Sequence, residues 1–437
     1  MVIRPLCEAP LCADLECLAV DKPNLLYISP VMPALTGNGL AMRAGIMLQA
    51  LAADYNVYLQ VIPIVQGAAE ENAHTSLTKW CADFAVHRVA DRVDPLFRLI
   101  ARIKHSRQRL AASASYPRPV LCRFATTSSI REAAQVFRGV PFREVHVFRL
   151  YMAPFAEPYL QGAPEDRPTC RLDLDDYESL TRRRLAALYE AVGNEASASI
   201  ERSEAEKYAV MELRYLPLFD RVYVCSDHDR VEIARRHGCG NIAVIPNAVH
   251  AQATAGARHG SVPFTLLFVG SLGYYPNEDA ALFLCSEVLP RIRGRAKRTF
   301  RAIIVGSHPS GRVLGLSANP EVTVTGAVSD LAEYYRDADV VVIPVRAGGG
   351  TRIKMLEAFS YRRPVVSTAL GAEGIDVRHG THLLIADTPK EFAEQCLRLM
   401  ENPAVGQELA DCAFEFVKVN HSPERIRQLL RRDHRSD

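Results

Sequence analysis

The stretch 339–374, DVVVIPVRAGGGTRIKMLEAFSYRRPVVSTALGAEG, constrains this chain more than any other. Its β-branched run at 340–345 has the continuous apolar character of a strand buried on both faces. Gly348, Gly349 and Gly350 follow, where a backbone without Cβ atoms turns sharply and comes close to a ligand. A helix then opens with Arg352 and Lys354, and Glu357 lies three residues beyond Lys354 on the same helix face. Free N–H groups at that helix start carry the positive end of its dipole, so the turn suits a diphosphate. Two plainer accounts stay open for the parts taken singly. Lys354 and Glu357 form a surface pair worth about 0.3–0.5 kcal/mol, or the glycines form a mobile loop. The full order of features favours a ligand site, because Arg362-Arg363-Pro364 leads straight into a second buried strand at 365–368.

The rest of the chain repeats the alternation of strand and helix. Strands are expected at 24–29, 56–64, 120–124, 145–148, 171–174, 221–225 and 242–245, then at 264–269, 302–305, 322–324 and 383–386. Helix 40–51 follows the turn Thr36-Gly37-Asn38-Gly39, again a shape that cradles anions, and Asn38 is placed to cap it. The segment 178–214 reads as two helices broken at Gly193. Ser226 with Asp229, Asp330 with Glu333, and Thr388 with Pro389 and Glu391 are helix starts, and Gly238 is a helix stop. Alternating strands and helices in two halves imply two Rossmann-like domains with parallel sheets. The boundaries expected are an extension at 1–23, a first domain at 24–247, a linker at 248–262, a second domain at 263–414 and a C-terminal helix at 415–437 that crosses back to the first domain.

Composition excludes several function classes. With 437 residues the chain is long enough for two cores, and 48% apolar with 23% charged residues is ordinary for a globular protein. A formal charge of +2 gives no reason to expect nucleic acid. No run is long enough for a membrane span and nothing at the start resembles a secretory signal, while cysteines read as reduced thiols imply a cytoplasmic protein. The 11 cysteines lack zinc-type pairing. Cys7, Cys12 and Cys17 recur every five residues in the extension, where an irregular segment is favoured over a metal clip. Leu96, Ile100 and Ile103 form an apolar stripe flanked by Arg98, Arg102, Lys104, Arg107 and Arg109. That pattern fits a surface helix with solvated arginines, or a helix lying on anionic headgroups at the inner face of a membrane.

The turn Gly348-Gly349-Gly350-Thr351-Arg352-Ile353-Lys354-Met355-Leu356-Glu357-Ala358 resembles the donor site of the family 4 (group 1) retaining glycosyltransferases of the GT-B fold, in the branch that writes it G-x-G-T-R-x-K-x-x-E-A. The resemblance covers nearly the whole chain after residue 23 and is specific in the last 180 or so residues. It implies two Rossmann-like domains facing a central cleft, and transfer of a hexosyl or other glycosyl group from a nucleotide-sugar with retained configuration. The acceptor it implies is a glycan or a lipid-linked glycan of surface polysaccharide synthesis. It also implies that no metal and no cofactor are needed, since the helix dipole and basic side chains stabilise the leaving diphosphate.

Carried over residue by residue, the donor would meet Gly37, Gly39, Ser271, Val328, Gly349, Gly350, Thr351, Arg352, Lys354 and Glu357, with Glu357 on the ribose and Val328 near the base. Departures are visible. Ser271 stands where many relatives have a basic residue, and Gly349 where they have the first acid of E-x7-E. Asp175 takes the position of a histidine beside the transferred sugar, as a catalytic group or as a cap for the next helix. Asp173 is the acceptor-side carboxylate, and His146 is either a second acceptor-side group or a core histidine. Two other functions fit the same fold: a sugar-nucleotide epimerase and a non-catalytic nucleotide-sugar-binding protein.

Overall fold

The computed structural model describes residues 2–3, 22–64, 79–88, 92–252, 262–350 and 352–434. Contacts divide the chain into two units. One is Met1–Leu35, Leu40–Ile245 and Leu430–Asp437; the other is Thr36–Gly39 and Pro246–Leu429.

The first unit is built on strands β1 (Val2–Ile3), β2 (Asn24–Ser29), β3 (Asn56–Val61), β4 (Asp83–His87), β5 (Phe142–Phe148), β6 (Thr169–Asp173), β7 (Arg221–Val224) and β8 (Ile242–Val244). They form one sheet in the order β1-β4-β3-β2-β5-β6-β7-β8. Only the short β1 runs antiparallel to its neighbour β4. Helix α1 (Gly39–Leu51) follows β2 and buries ten of its residues, Leu48 and Ala44 completely. The chain travels outward from β2 to β4 and then restarts at β5 on the other side of β2. The loops after β2 and β5 therefore part at a topological switch point, where open α/β sheets bind ligands.

Two sequence expectations need correcting here. The segment Val120–Phe124 is a 3₁₀ turn, not a strand. Cys122 and Phe124 are buried and Arg123 between them is not, so the period-two pattern imitates a strand. The backbone bonds locally, however, with Cys122 N–H on Pro119 O and Ala125 N–H on Cys122 O, both at 2.9 Å. The expected amphipathic stripe is also divided. Helix α2 (Pro95–Ala101) ends before Ile103, and α3 (Ser106–Ala114) starts afresh. Strand β4 lies in a region whose sequence shows little regularity.

The second unit holds β9 (Phe264–Val269), β10 (Phe300–Val305), β11 (Val322–Gly326), β12 (Val340–Ile343), β13 (Val365–Ser367) and β14 (Leu384–Ile385). All are parallel, in the order β11-β10-β9-β12-β13-β14. Every residue of β9 and β12 is buried, which explains their unbroken apolar runs. The switch point lies between these two strands. Helix α4 (Tyr275–Phe283) follows β9, α5 (Ala332–Asp337) follows β11, and α6 (Ile353–Ser360) follows β12.

The segment read as a linker starts as ordered chain of this unit. Ala248 and Val249 are buried, and Val249 N–H reaches His421 O at 2.9 Å. Residues 253–261 lie outside the described residues, as do the N-terminal cysteines Cys7, Cys12 and Cys17. Among the described residues no helix is long and apolar enough to cross a membrane.

Candidate functional site

The loop from β12 to α6 turns on two glycines with left-handed backbone, Gly348 at φ +114° and Gly350 at φ +65°. Other residues reach these angles only at a steric cost. Thr351 lies outside the described residues. Arg352 sits at the helix cap, and its Nη1 donates to the carbonyls of Gly349 and, at 3.2 Å, Gly350. Its guanidinium thus clamps the glycine turn from below.

Lys354 and Glu357 are half-buried on one face of α6, and each has its own neutral partner rather than the other. Lys354 Nζ donates to Asn277 Oδ1 at 2.7 Å and lies 4.9 Å from the centre of the Phe268 ring. Glu357 Oε2 accepts from the Tyr335 hydroxyl at 3.2 Å. Tyr335 in turn is stacked on Tyr361, with ring centres 5.0 Å apart. The surface-pair account of these two charges does not hold. Burial pushes the Lys354 ammonium down to about 7, with the Arg352 charge adding to the effect and Glu357 opposing it. Burial likewise pushes the Glu357 carboxyl up to about 7, against the hydrogen bond from Tyr335 and the charge of Lys354. Two opposite charges, both shifted toward neutrality by burial on one helix face at the sheet's switch point, make this the candidate ligand site.

The loop after β9 completes this edge of the sheet. Ser271 is exposed and joins the site through its carbonyl, which accepts from Asn277 Nδ2 at 2.9 Å. Gly270 is required there, since a Cβ would lie 2.8 Å from Asn277 Cγ. Arg346 forks onto Asp279 at 2.9 and 2.7 Å. Val328 is half-buried in the loop after β11, at the same C-terminal edge but two strands from β9. The turn Thr36–Gly39 groups with this unit, and a Cβ on Gly39 would come 3.1 Å from Ile353 Cδ1. Gly37 has φ +106° and open space beside it. Asn277, Tyr335 and Arg346 were missed from the sequence. Only the Pro276-Asn277 helix start hinted at the first of them.

In the first unit, ion pairs dominate the C-terminal ends of β5 and β6. Asp173 is fully buried and takes a bidentate grip from Arg43, whose Nη2 lies 2.7 Å from Oδ1 and Nε 2.9 Å from Oδ2. With no face turned to solvent, it is a structural counter-ion, and the acceptor-side role expected for it is withdrawn. Asp175 has φ +57° and Arg149 φ +77°, unusual backbone for residues with side chains. Arg149 Nη1 meets Asp175 Oδ2 at 2.9 Å, and its Nη2 meets Glu178 Oε1 at 2.7 Å. The Cys225 thiol donates to Asp175 Oδ1 at 3.2 Å. Burial raises the Glu178 carboxyl to about 7, with Arg149 opposing. Asp175 is therefore part of a charge network, not the cap of the next helix, Glu178–Ala191, whose cap position is Tyr177.

His146 is completely buried in the middle of β5. It stands edge-on to Tyr27 at 5.4 Å and stacked on Tyr223 at 5.8 Å, with Glu144 Oε1 3.8 Å from its Nδ1. It is a core histidine, and the acceptor-side alternative falls. Among the described residues no group of three His, Cys, Asp or Glu is placed to hold a metal ion.

Residues 263–402 match the family of glycosyl transferases group 1, a span that holds Asn277, Lys354 and Glu357. An uncharacterised 44.6 kDa protein of the cps region of Klebsiella pneumoniae is 25% identical over 169 residues, 37% of this chain and 43% of that protein. D-inositol 3-phosphate glycosyltransferase of Kineococcus radiotolerans is 27% identical over 248 residues, 49% of this chain and 56% of that enzyme. The chain thus spans about half the length of the curated relatives it matches. Anabaena HepE, solved with UDP and glucose, superposes with a TM-score of 0.60 at 13% identity, covering 95% of this chain and 100% of that one. The fold is that of the GT-B glycosyltransferases: two Rossmann-like domains with parallel sheets.

Proposed function

We propose that this protein transfers a glycosyl group from a nucleotide-sugar to an acceptor with retention of configuration. One observation carries the reading. Lys354 and Glu357 are held on one helix face, at the β9/β12 switch point, by partners that leave their charges uncompensated. A diphosphate supplies the anion that Lys354 lacks, and ribose hydroxyls supply further donors for the Glu357 carboxylate. The glycine turn and the start of α6 contribute N–H groups to the same phosphates. As the sugar–phosphate bond breaks, negative charge grows on the diphosphate, and these fixed positive groups stabilise it without a metal or cofactor. HepE was solved with UDP and glucose, which supports a nucleotide-sugar as donor here.

The acceptor we assign is a glycan or lipid-linked glycan of surface polysaccharide synthesis, a reading supported by the cps-region relative. Asp175, held by Arg149, is the catalytic-side carboxylate of this proposal. The protein works in the cytoplasm, touching the inner membrane face through the basic segment 95–109 that begins with α2. The test is incubation of purified protein with UDP-, GDP-, ADP- and dTDP-sugars and a lipid-linked glycan acceptor, with and without EDTA. The expected result is a glycoside whose anomeric configuration by NMR equals that of the donor, formed equally in EDTA. Solvent deuterium entering the donor sugar without acceptor would instead make the protein an epimerase. Tight nucleotide-sugar binding with no turnover of any donor would make it a binding protein.

A further inference from the structure

We propose that Asn277 is the positioning residue for Lys354, setting its ammonium in place for the donor diphosphate while leaving its charge unspent. The inference rests on the donor-site reading above and adds to it a residue with a separable task. An ammonium on a four-carbon stem has no preferred direction of its own, so something must fix it. Asn277 is itself fixed on every side. Its N–H bonds to Tyr274 O at 2.9 Å in the first turn of α4. Its side-chain amide donates to Ser271 O at 2.9 Å. Its Cγ packs where a side chain on Gly270 would otherwise sit. With Nδ2 committed to a carbonyl, Oδ1 can only face Lys354, at 2.7 Å.

The partner's neutrality is the point. A carboxylate in this place would cancel the lysine charge and repel the diphosphate. The other charged groups around Lys354 are already engaged or lie on its own helix. Arg352 clamps the glycine turn and Glu357 holds Tyr335, both within α6. On α4, Glu278 faces Arg312 at 3.6 Å and Asp279 is taken by Arg346 at 2.7 Å. Strand β9 offers only the Phe268 ring. Lys354 is thus a half-buried cation on neutral support, and its ammonium is pushed down to about 7 by desolvation. Donor binding must keep it charged, so affinity falls as the pH rises through that region.

The experiment measures nucleotide-sugar affinity between pH 6 and 9 by calorimetry. The probe is whichever of UDP-glucose, GDP-mannose, ADP-glucose and dTDP-glucose binds most tightly. The variants are Asn277→Ala, Asn277→Asp and Lys354→Met, each checked for folding by thermal unfolding. Loss of the Oδ1 acceptor removes a bond to a charged group, so Asn277→Ala weakens binding about tenfold at pH 7 and moves the alkaline fall to lower pH. Asn277→Asp, nearly the same shape, moves the fall to higher pH while still weakening affinity. Lys354→Met has no alkaline fall.

If Asn277→Ala cannot fold, the upward shift in Asn277→Asp decides. Unchanged affinity and an unmoved fall in the folded variants overturn the proposal. So does weaker binding with the fall unmoved, or a fall that persists in Lys354→Met. If none of the four nucleotide-sugars binds the unaltered protein, the donor-site reading fails first, a distinct outcome.

Discussion

Glu357 shows how a single side chain can be read at the level of its hydrogen bonds. Tyr335 occupies one carboxylate oxygen, which leaves the other for a ligand's hydroxyls. A ribose contact lies far from the bond that breaks, so it is made equally in the ground and transition states and lowers KM without raising kcat. A hydrogen bond to a charged group is worth about 1.5–3 kcal/mol, so Glu357→Ala should raise the donor KM about ten- to a hundredfold. The rate at saturating donor should change much less. Steady-state kinetics with varied donor decide this, and an unchanged KM in a folded variant would remove Glu357 from the site. The same residue should shape the acid side of the pH profile. It protonates below about 7 in the free protein, whereas Lys354 deprotonates above about 7, so 1/KM should peak near neutrality. For the unliganded fold the two groups have opposite signs, and together they put a stability minimum near neutrality. Glu357, raised from 4.5, gives up stability as pH climbs to about 7. Lys354, lowered from 10.5, regains stability only as pH climbs from about 7 toward that value.

At the scale of the element, most capping chemistry was legible, although the cap position of α5 is Leu331, with no side-chain bond, rather than Asp330, and non-local pairing was not. Ser226 Oγ accepts from Asp229 N–H, and Thr388 with Glu391 closes a capping box, both as the residue types require. Such signals need only three or four neighbouring residues. Val120–Phe124 misled because burial alternates there while its hydrogen bonds stay local. In α2 the sequence stripe put Leu96 and Ile100 on one apolar face, yet Ile100 is 7% exposed whereas Leu96 and Leu99 are 48% and 62% exposed. These leucines stand among exposed Arg98, Arg102, Lys104 and Arg109, and the segment 95–118 has no acidic residue. Apolar tips within an all-basic surface match anionic lipid better than water. The protein should float with vesicles containing 30% or so phosphatidylglycerol at low salt and not with neutral vesicles. Leu96→Ser/Leu99→Ser should lose most of that binding, and equal flotation with both lipids would refute the contact.

At the scale of the whole molecule, the C-terminal helix Pro423–His434 ends in a polar cluster of the first unit. Asp433 accepts from Arg171 at 3.0 Å, from Tyr223 at 2.8 Å and from Arg221 at 2.7 Å, while His434 Nδ1 lies 3.0 Å from the Tyr55 hydroxyl. Removing one member of a buried ion pair strands its partner, so Asp433→Ala should lower unfolding stability by about 3–5 kcal/mol. Urea denaturation would show it, and a loss below about 1 kcal/mol would make the cluster incidental. Nothing near Asp433 in the sequence announces partners more than 200 positions away.

The same division runs through the protein. Period and turn chemistry were enough for most of the alternating strands, the glycine turn and the helix that bears Lys354 and Glu357, because each depends on neighbours a few residues apart. Tertiary structure alone decided what Asp173, Asp175, His146 and Asn277 touch. A carboxylate becomes a buried counter-ion only once Arg43 or Arg149 is brought beside it. An asparagine holds a lysine 77 positions away only once β9 and β12 lie side by side. Charge and burial depend on distances in space, and those are set by the order of strands in the sheet.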